Sequence, residues 1–228
     1  MGHLTLVRHG QASFHAQRYD ALSELGRLQA RRLGEYWATH GQCFDTVWVG
    51  PRARHRETLE EIAAVFAQRG LPWPEARMLP ELDEHDGLKV MRHVLGDVRA
   101  LAPDSQSTDT TDIVRRFFLR YREIMADWAA GRIVVPGVES WPAFRDRARA
   151  ALTMLCATST RSVAFTSGGL VSATVGALLD LDDRRVIELS SVVRNAALTE
   201  VRYRADEHGL VSFNTIPHLE DPALITMV

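Results

Sequence analysis

Lysine is nearly missing from this chain: Lys89 stands alone among 27 basic residues, and every other cation is an arginine. Arginine favours forked recognition of phosphate and carboxylate, although a genome-wide base bias explains the excess better. Excess charge of either sign is also missing. A formal net charge of −2 gives no general attraction to a nucleic acid or an anionic membrane. Cysteine is scarce, and Cys43 and Cys156 lie far apart in no metal-like spacing, so both read as reduced thiols. No apolar run approaches membrane length, and the first residues enter a strand rather than a signal peptide. These absences predict a cytoplasmic protein without nucleic-acid or membrane partners. Internal repeats, heptads and low-complexity tracts are absent as well.

What is present is ample core material, with 46% apolar and 25% charged residues over 228 positions. Strand signals fall at residues 4–7, 44–49 and 162–166, with two further strands near 196–204 and 209–215. Helical periodicity covers residues 24–39, where Ser23 is the expected N-cap, then 53–68, 141–157 and 169–181. Strand and helix in alternation predict an α/β fold: three layers, a mostly parallel central sheet and right-handed crossovers. The middle differs. Residues 90–102 and 108–130 read as helices around a polar stretch at 103–107, so one domain spans 1–228 with a helical cap inserted at about 80–135. Asp109 and Asp112 near the start of the second of these helices, with Arg115, Arg116, Arg120 and Arg122 further along, read as a solvated, dipole-friendly face.

Three strand ends carry polar residues. The first ends in Arg8-His9-Gly10-Gln11, with Gly10 allowing a sharp exit. The second ends in Gly50-Pro51-Arg52-Ala53-Arg54-His55-Arg56 and opens a helix whose free amides favour anions. The third ends in Thr166-Ser167-Gly168-Gly169, again at a helix start. In a parallel sheet these ends share the carboxyl edge, where open α/β sheets bind ligands. There an imidazole can attack phosphorus while guanidinium forks hold the phosphoryl oxygens.

These segments resemble the histidine phosphatase superfamily, the phosphoglycerate mutase-like proteins. Arg8-His9-Gly10 is similar to its Arg-His-Gly signature, and residues 23–30 to its first helix. Residues 50–58 resemble its Ser-Pro-x-x-Arg-Ala-x-Gln-Thr segment, and Glu139-Ser140 its later Gly-Glu-Ser. The resemblance implies a metal-independent phosphomonoesterase with no cofactor, acting on a small phosphorylated metabolite or a phosphoprotein side chain. His9 would become a phosphohistidine, with Arg8 and Arg54 neutralising the phosphoryl oxygens. The acid for the leaving oxygen would be Glu84, from a Leu-x-Glu segment at Leu82-Asp83-Glu84, with Glu81 and then Asp86 as competitors. Arg52 and Arg56 are expected in solvent, and Gln11 is a further candidate contact.

One departure matters. The superfamily places a second histidine just before its glycines, and this chain has Ser167 there, placing it in a Ser-for-His subgroup. Ser167 and Gly168 are expected to bind phosphate, more weakly than an imidazole and with slower turnover, unless His85 turns inward as a replacement. His3, His15, His40, His93 and His208 are expected on the surface or in loops. His218 is expected to be structural, and Trp48, Trp73, Trp128 and Trp141 to be packing residues. Two other readings stay open: a phosphate-binding module without turnover, and a serine hydrolase using Ser167 with Asp180 and His208 or His218, although its first elbow glycine is replaced by Phe165. A phosphatase is favoured over a mutase, and a homodimer is left open.

Overall fold

The computed structural model describes residues 1–13, 20–96, 110–157, 160–204 and 207–227, with backbone alone for 110–118. Six strands make one sheet: β1 (Gly2–Arg8), β2 (Thr46–Val49), β3 (Ala76–Met78), β4 (Arg161–Thr166), β5 (Leu198–Arg204) and β6 (Glu207–Thr215). Their order is β3-β2-β4-β1-β5-β6. β1 to β4 run parallel, whereas β5 adds antiparallel to β1 and β6 antiparallel to β5. Around them lie α1 (Glu24–Thr39), α2 (Ala53–Gln68), α3 (Gly87–Leu95), α4 (Thr110–Ala129), α5 (Trp141–Leu155), α6 (Gly168–Leu178) and α7 (Asp183–Ser190).

Side-chain alternation on the central strands shows why three layers form. Leu4, Leu6 and Ala164 face a core with Phe144 and Leu152 of α5 and Leu170 and Val171 of α6. Val7, Val163 and Phe165 face the opposite core, with Leu33 and Trp37 of α1 and Ile62 and Phe66 of α2. Val90, Met91, Ile124, Met125 and Trp128 carry α3 and α4 onto the first core. Ser23 caps α1 as expected, accepting from the Gly26 N–H at 3.0 Å. The tryptophans pack as expected: Trp128 and Trp141 meet edge to face at 5.4 Å, Trp37 and Trp73 stack at 6.4 Å, and Trp48 lies beneath Arg77.

Two elements escape the periodicity. β3 has three residues, two of them exposed, so no alternation develops. α7 is short and polar, and it is announced only by Asp182, which caps the Arg185 N–H at 2.8 Å. α3 starts three residues before the expected Val90, because Asp86 accepts from the Lys89 and Val90 N–H groups. The expected helix end at Ala102, the stretch 103–107, Thr108 and Asp109 lie outside the described residues. So do His15, Ala205 and the side chains of Asp112, Arg115 and Arg116. No helix among the described residues is long and apolar enough to cross a membrane.

Candidate active site

The register decides what meets at the carboxyl edge. Arg8 pairs with Thr166 and Val49 with Phe165, so Arg8-His9, Gly50 and Ser167 end their strands side by side. The His9 N–H donates to the Thr166 carbonyl and the Gly50 N–H to that of Phe165. A cavity of about 330 Å³ opens above this edge, a size suited to a small ligand. Arg8, His9 and Arg54 line its floor, Glu84 and His85 one wall, and Leu88, Lys89, Met91 and Arg92 of α3 with Tyr121 of α4 its roof.

His9 is 5% exposed. Its Nδ1 lies 2.6 Å from the Gly10 carbonyl, which can only accept. Nδ1 therefore carries the proton and Nε2 the lone pair. Burial first, then Arg54, Arg8 and His55, hold the ring well below the usual imidazole range, so it is neutral. The His9 carbonyl accepts from the N–H of Ala196, whose φ of +56° turns the chain inward.

The guanidiniums are held from behind. Arg8 Nη1 donates to the carbonyls of Val193 and Met227, while burial lowers the group to about 10 and leaves it charged. Arg54 donates through Nη1 to Asp20 Oδ1 at 2.9 Å and through Nη2 to Ser167 Oγ at 3.5 Å. Residues 224–227 form a strap behind the floor. Gln29 Nε2 donates to Leu224 O and Thr226 Oγ1, and the Asn195 N–H donates to Thr226 O at 2.8 Å.

Glu84 reaches the cavity from the loop after a single turn of 3-10 helix at Pro80–Leu82. Its Oε2 accepts from the Gly169 N–H at the start of α6, and its Oε1 from the His85 N–H, both at 3.0 Å. Any Cβ at position 169 would collide with the Glu84 carboxylate, so glycine is required by this close approach. Burial pushes the carboxyl up, but His85, the Gly169 N–H, Arg54 and Arg52 outweigh it and leave Glu84 below its ordinary value. Glu81 and Asp86 differ: Glu81 is not on the cavity wall, and Asp86 pairs with Lys89 at 2.7 Å.

Several expectations change. Arg52 does not sit in solvent; it donates to Asp83 Oδ1 at 2.5 Å and to the Glu84 carbonyl at 3.0 Å. Arg147, unremarked in the sequence, grips the same loop through the carbonyls of Glu81 and Asp83. Ser167 is fully buried and does not line the cavity, and its oxygen lies 2.6 Å from Nε2 of His55. Its burial away from the cavity speaks against the serine-hydrolase arrangement, and the histidine beside it is neither His208, which is exposed, nor His218, a buried ring near Tyr36. His85 does turn inward, but against Glu84, with its Nδ1 accepting from the Gly87 N–H. Gln11 does not line the cavity; its side chain accepts from Ser23 Oγ. Gly168 lies on the wall against Arg8. His55 was overlooked. Its signal was a paired departure: histidine where the resembling segment has alanine, and serine where histidine was due.

The fold and the cavity define an α/β protein with a hollow whose floor carries two guanidiniums and an imidazole. The chain belongs to the histidine phosphatase superfamily (branch 1), whose profile matches residues 4–106 and 102–216. Among solved structures it is similar to a phosphoserine phosphatase from Entamoeba histolytica, with 18% identity and a TM-score of 0.62, covering 96% of this chain and 100% of that one. It is also similar to YhfR of Bacillus stearothermophilus, at 20% identity, TM-score 0.64 and coverages of 96% and 100%. Phosphoglycerate mutase from Bacillus anthracis str. Sterne gives 15%, 0.61, 96% and 95%. No curated protein matches the sequence.

Proposed function

We propose that the protein is a metal-independent phosphomonoesterase that works through a phosphohistidine on His9, on small phosphorylated metabolites or phosphoprotein side chains. The observation that carries this reading is the fixed tautomer of His9, whose Nε2 lone pair sits in a floor shared with two guanidiniums. Nε2 forms a bond to phosphorus as the ester P–O bond breaks, and Arg8 and Arg54 take the equatorial oxygens. A monoanionic ester brings the proton that Glu84 relays to the leaving oxygen. Water then gives a proton to the Glu84 carboxylate, its oxygen bonds to phosphorus, Nε2 leaves, and Glu84 passes that proton to the departing phosphate. The products are the alcohol and inorganic phosphate.

The test is a single turnover of a radiolabelled phosphomonoester with EDTA present. Label on the protein that resists alkali, is lost in acid and is absent in His9→Ala is the expected result. Phosphate binding without any label would favour the non-catalytic module instead, and activity requiring added magnesium would contradict the mechanism.

A further inference from the structure

The floor holds a second imidazole that the mechanism above leaves idle. His55, in the first turn of α2, is fully buried, and its ring centroid lies 5.8 Å from that of His9. Space for the ring exists because position 50 is glycine; a Cβ there would collide with it. The ring's Nε2 is 2.6 Å from Ser167 Oγ, and Ser167 Oγ is 3.5 Å from Arg54 Nη2. Three polar groups from α2 and the end of β4 thus form a chain buried beneath the cavity. An aliphatic pair would fill the same volume without the cost of desolvating a ring nitrogen and a hydroxyl.

We propose that His55 is a positioning residue for the phosphate-binding guanidinium, acting through Ser167. The direction of the first bond follows from the donor, and the second is assigned to the tautomer with its lone pair on Nε2. Arg54 can only donate, so Ser167 Oγ accepts from Nη2. Its own proton then goes to Nε2 of His55, which carries the lone pair. Burial, with Arg54 and Arg52 next in weight, keeps that ring neutral and able to accept. Asp20 grips Nη1 while Ser167 grips Nη2, so two fixed acceptors set the plane of the fork before a phosphoryl group arrives. The serine at 167 is then half of a relay, and its imidazole comes from a different element.

The inference rests on the phosphate reading of the cavity, so it is tested with inorganic phosphate affinity as well as with kcat/KM on p-nitrophenyl phosphate. His55→Ala and Ser167→Ala are each expected to lose about 5- to 20-fold in both, with no further loss when combined. His55→Gln, whose side-chain carbonyl still accepts the Ser167 proton, is expected within about threefold of the parent. In an Arg54→Lys background, where the fork is gone, His55→Ala is expected to cost nothing more. Equal losses in both backgrounds, or unchanged phosphate affinity in folded His55→Ala, would overturn the proposal. If His55→Ala does not fold, Ser167→Ala cuts the same link with the ring left in place. A parent that binds phosphate without turnover sinks the phosphatase reading alone, because the affinities still report on His55.

Discussion

The floor of the cavity and the loop that carries Glu84 are built in opposite ways. On the floor, Arg8, His9 and Arg54 project from strand ends and the first turn of a helix, and they are held chiefly by backbone carbonyls and the Ser167 hydroxyl, with the Asp20 carboxylate as a charged partner of Arg54. The Glu84 loop touches the sheet only before the acid, where the Leu82 carbonyl accepts from Thr166 Oγ1 at 2.7 Å. It is held by guanidiniums from distant elements, Arg52 on Asp83 and on the Glu84 carbonyl, and Arg147 on the Glu81 and Asp83 carbonyls. Those arginines keep about a quarter or a fifth of their side-chain surface in contact with solvent. The floor is fixed by register, and the loop by charge. A fault in the first should destroy the chemistry, whereas a fault in the second should misplace a proton donor.

Glu84→Gln breaks the contrast most sharply. Its one side-chain oxygen can keep only one of the two backbone N–H contacts and it cannot move a proton, so about a hundredfold loss in kcat is expected for alkyl phosphates and much less for p-nitrophenyl phosphate, whose leaving group needs little protonation. Equal losses for both esters would place the acid elsewhere.

The pH profile sharpens the view of the floor. Because burial and two guanidiniums hold His9 below the ordinary 6.5, the nucleophile stays deprotonated as the solution is acidified through that value. Above about pH 6 the monoanionic ester gives way to the dianion, and Glu84, itself lowered, holds no reserve proton. The optimum of kcat/KM is therefore expected at or below about pH 6, with roughly a tenfold fall by pH 7. An acid limb centred near 6.5 would contradict a neutral, buried His9.

Arg147→Ala carries the smallest effect. Loss of its grip on the loop is expected to lower kcat about three- to tenfold on alkyl phosphates while leaving phosphate affinity within about twofold. A drop in phosphate affinity instead would mean that loop and floor are one unit.

The same contrast explains what could be read from residues alone. The floor was legible because each of its pieces is local: a short apolar run ending in Arg8-His9-Gly10, and a helix opening at Arg54. The loop was half legible. Leu82-Asp83-Glu84 pointed to the acid, but nothing in the order of residues places Arg147 beside residues 81–83, since that contact needs α5 packed on the sheet. Arg52 was misread for a related reason. Alternate positions on a short segment were expected to diverge, yet Arg52 and Arg54 both line the cavity, Arg52 while gripping the loop that forms its wall. Asn195 and the segment 224–227 escaped because their contacts join residues far apart in the chain, such as Gln29 to Thr226 and Arg8 to Met227, and no local pattern announces them. Edge strand β3 is too short and exposed to show a period.

The strap at residues 224–227 bears on the order of events during synthesis. Met227 supplies a carbonyl to Arg8, from the first strand made, and Thr226 secures Asn195. A growing chain that has not yet reached this segment has Arg8 and His9 in place but lacks the Met227 carbonyl that braces Arg8, so under the proposed mechanism turnover should wait until residues 224–227 have folded back.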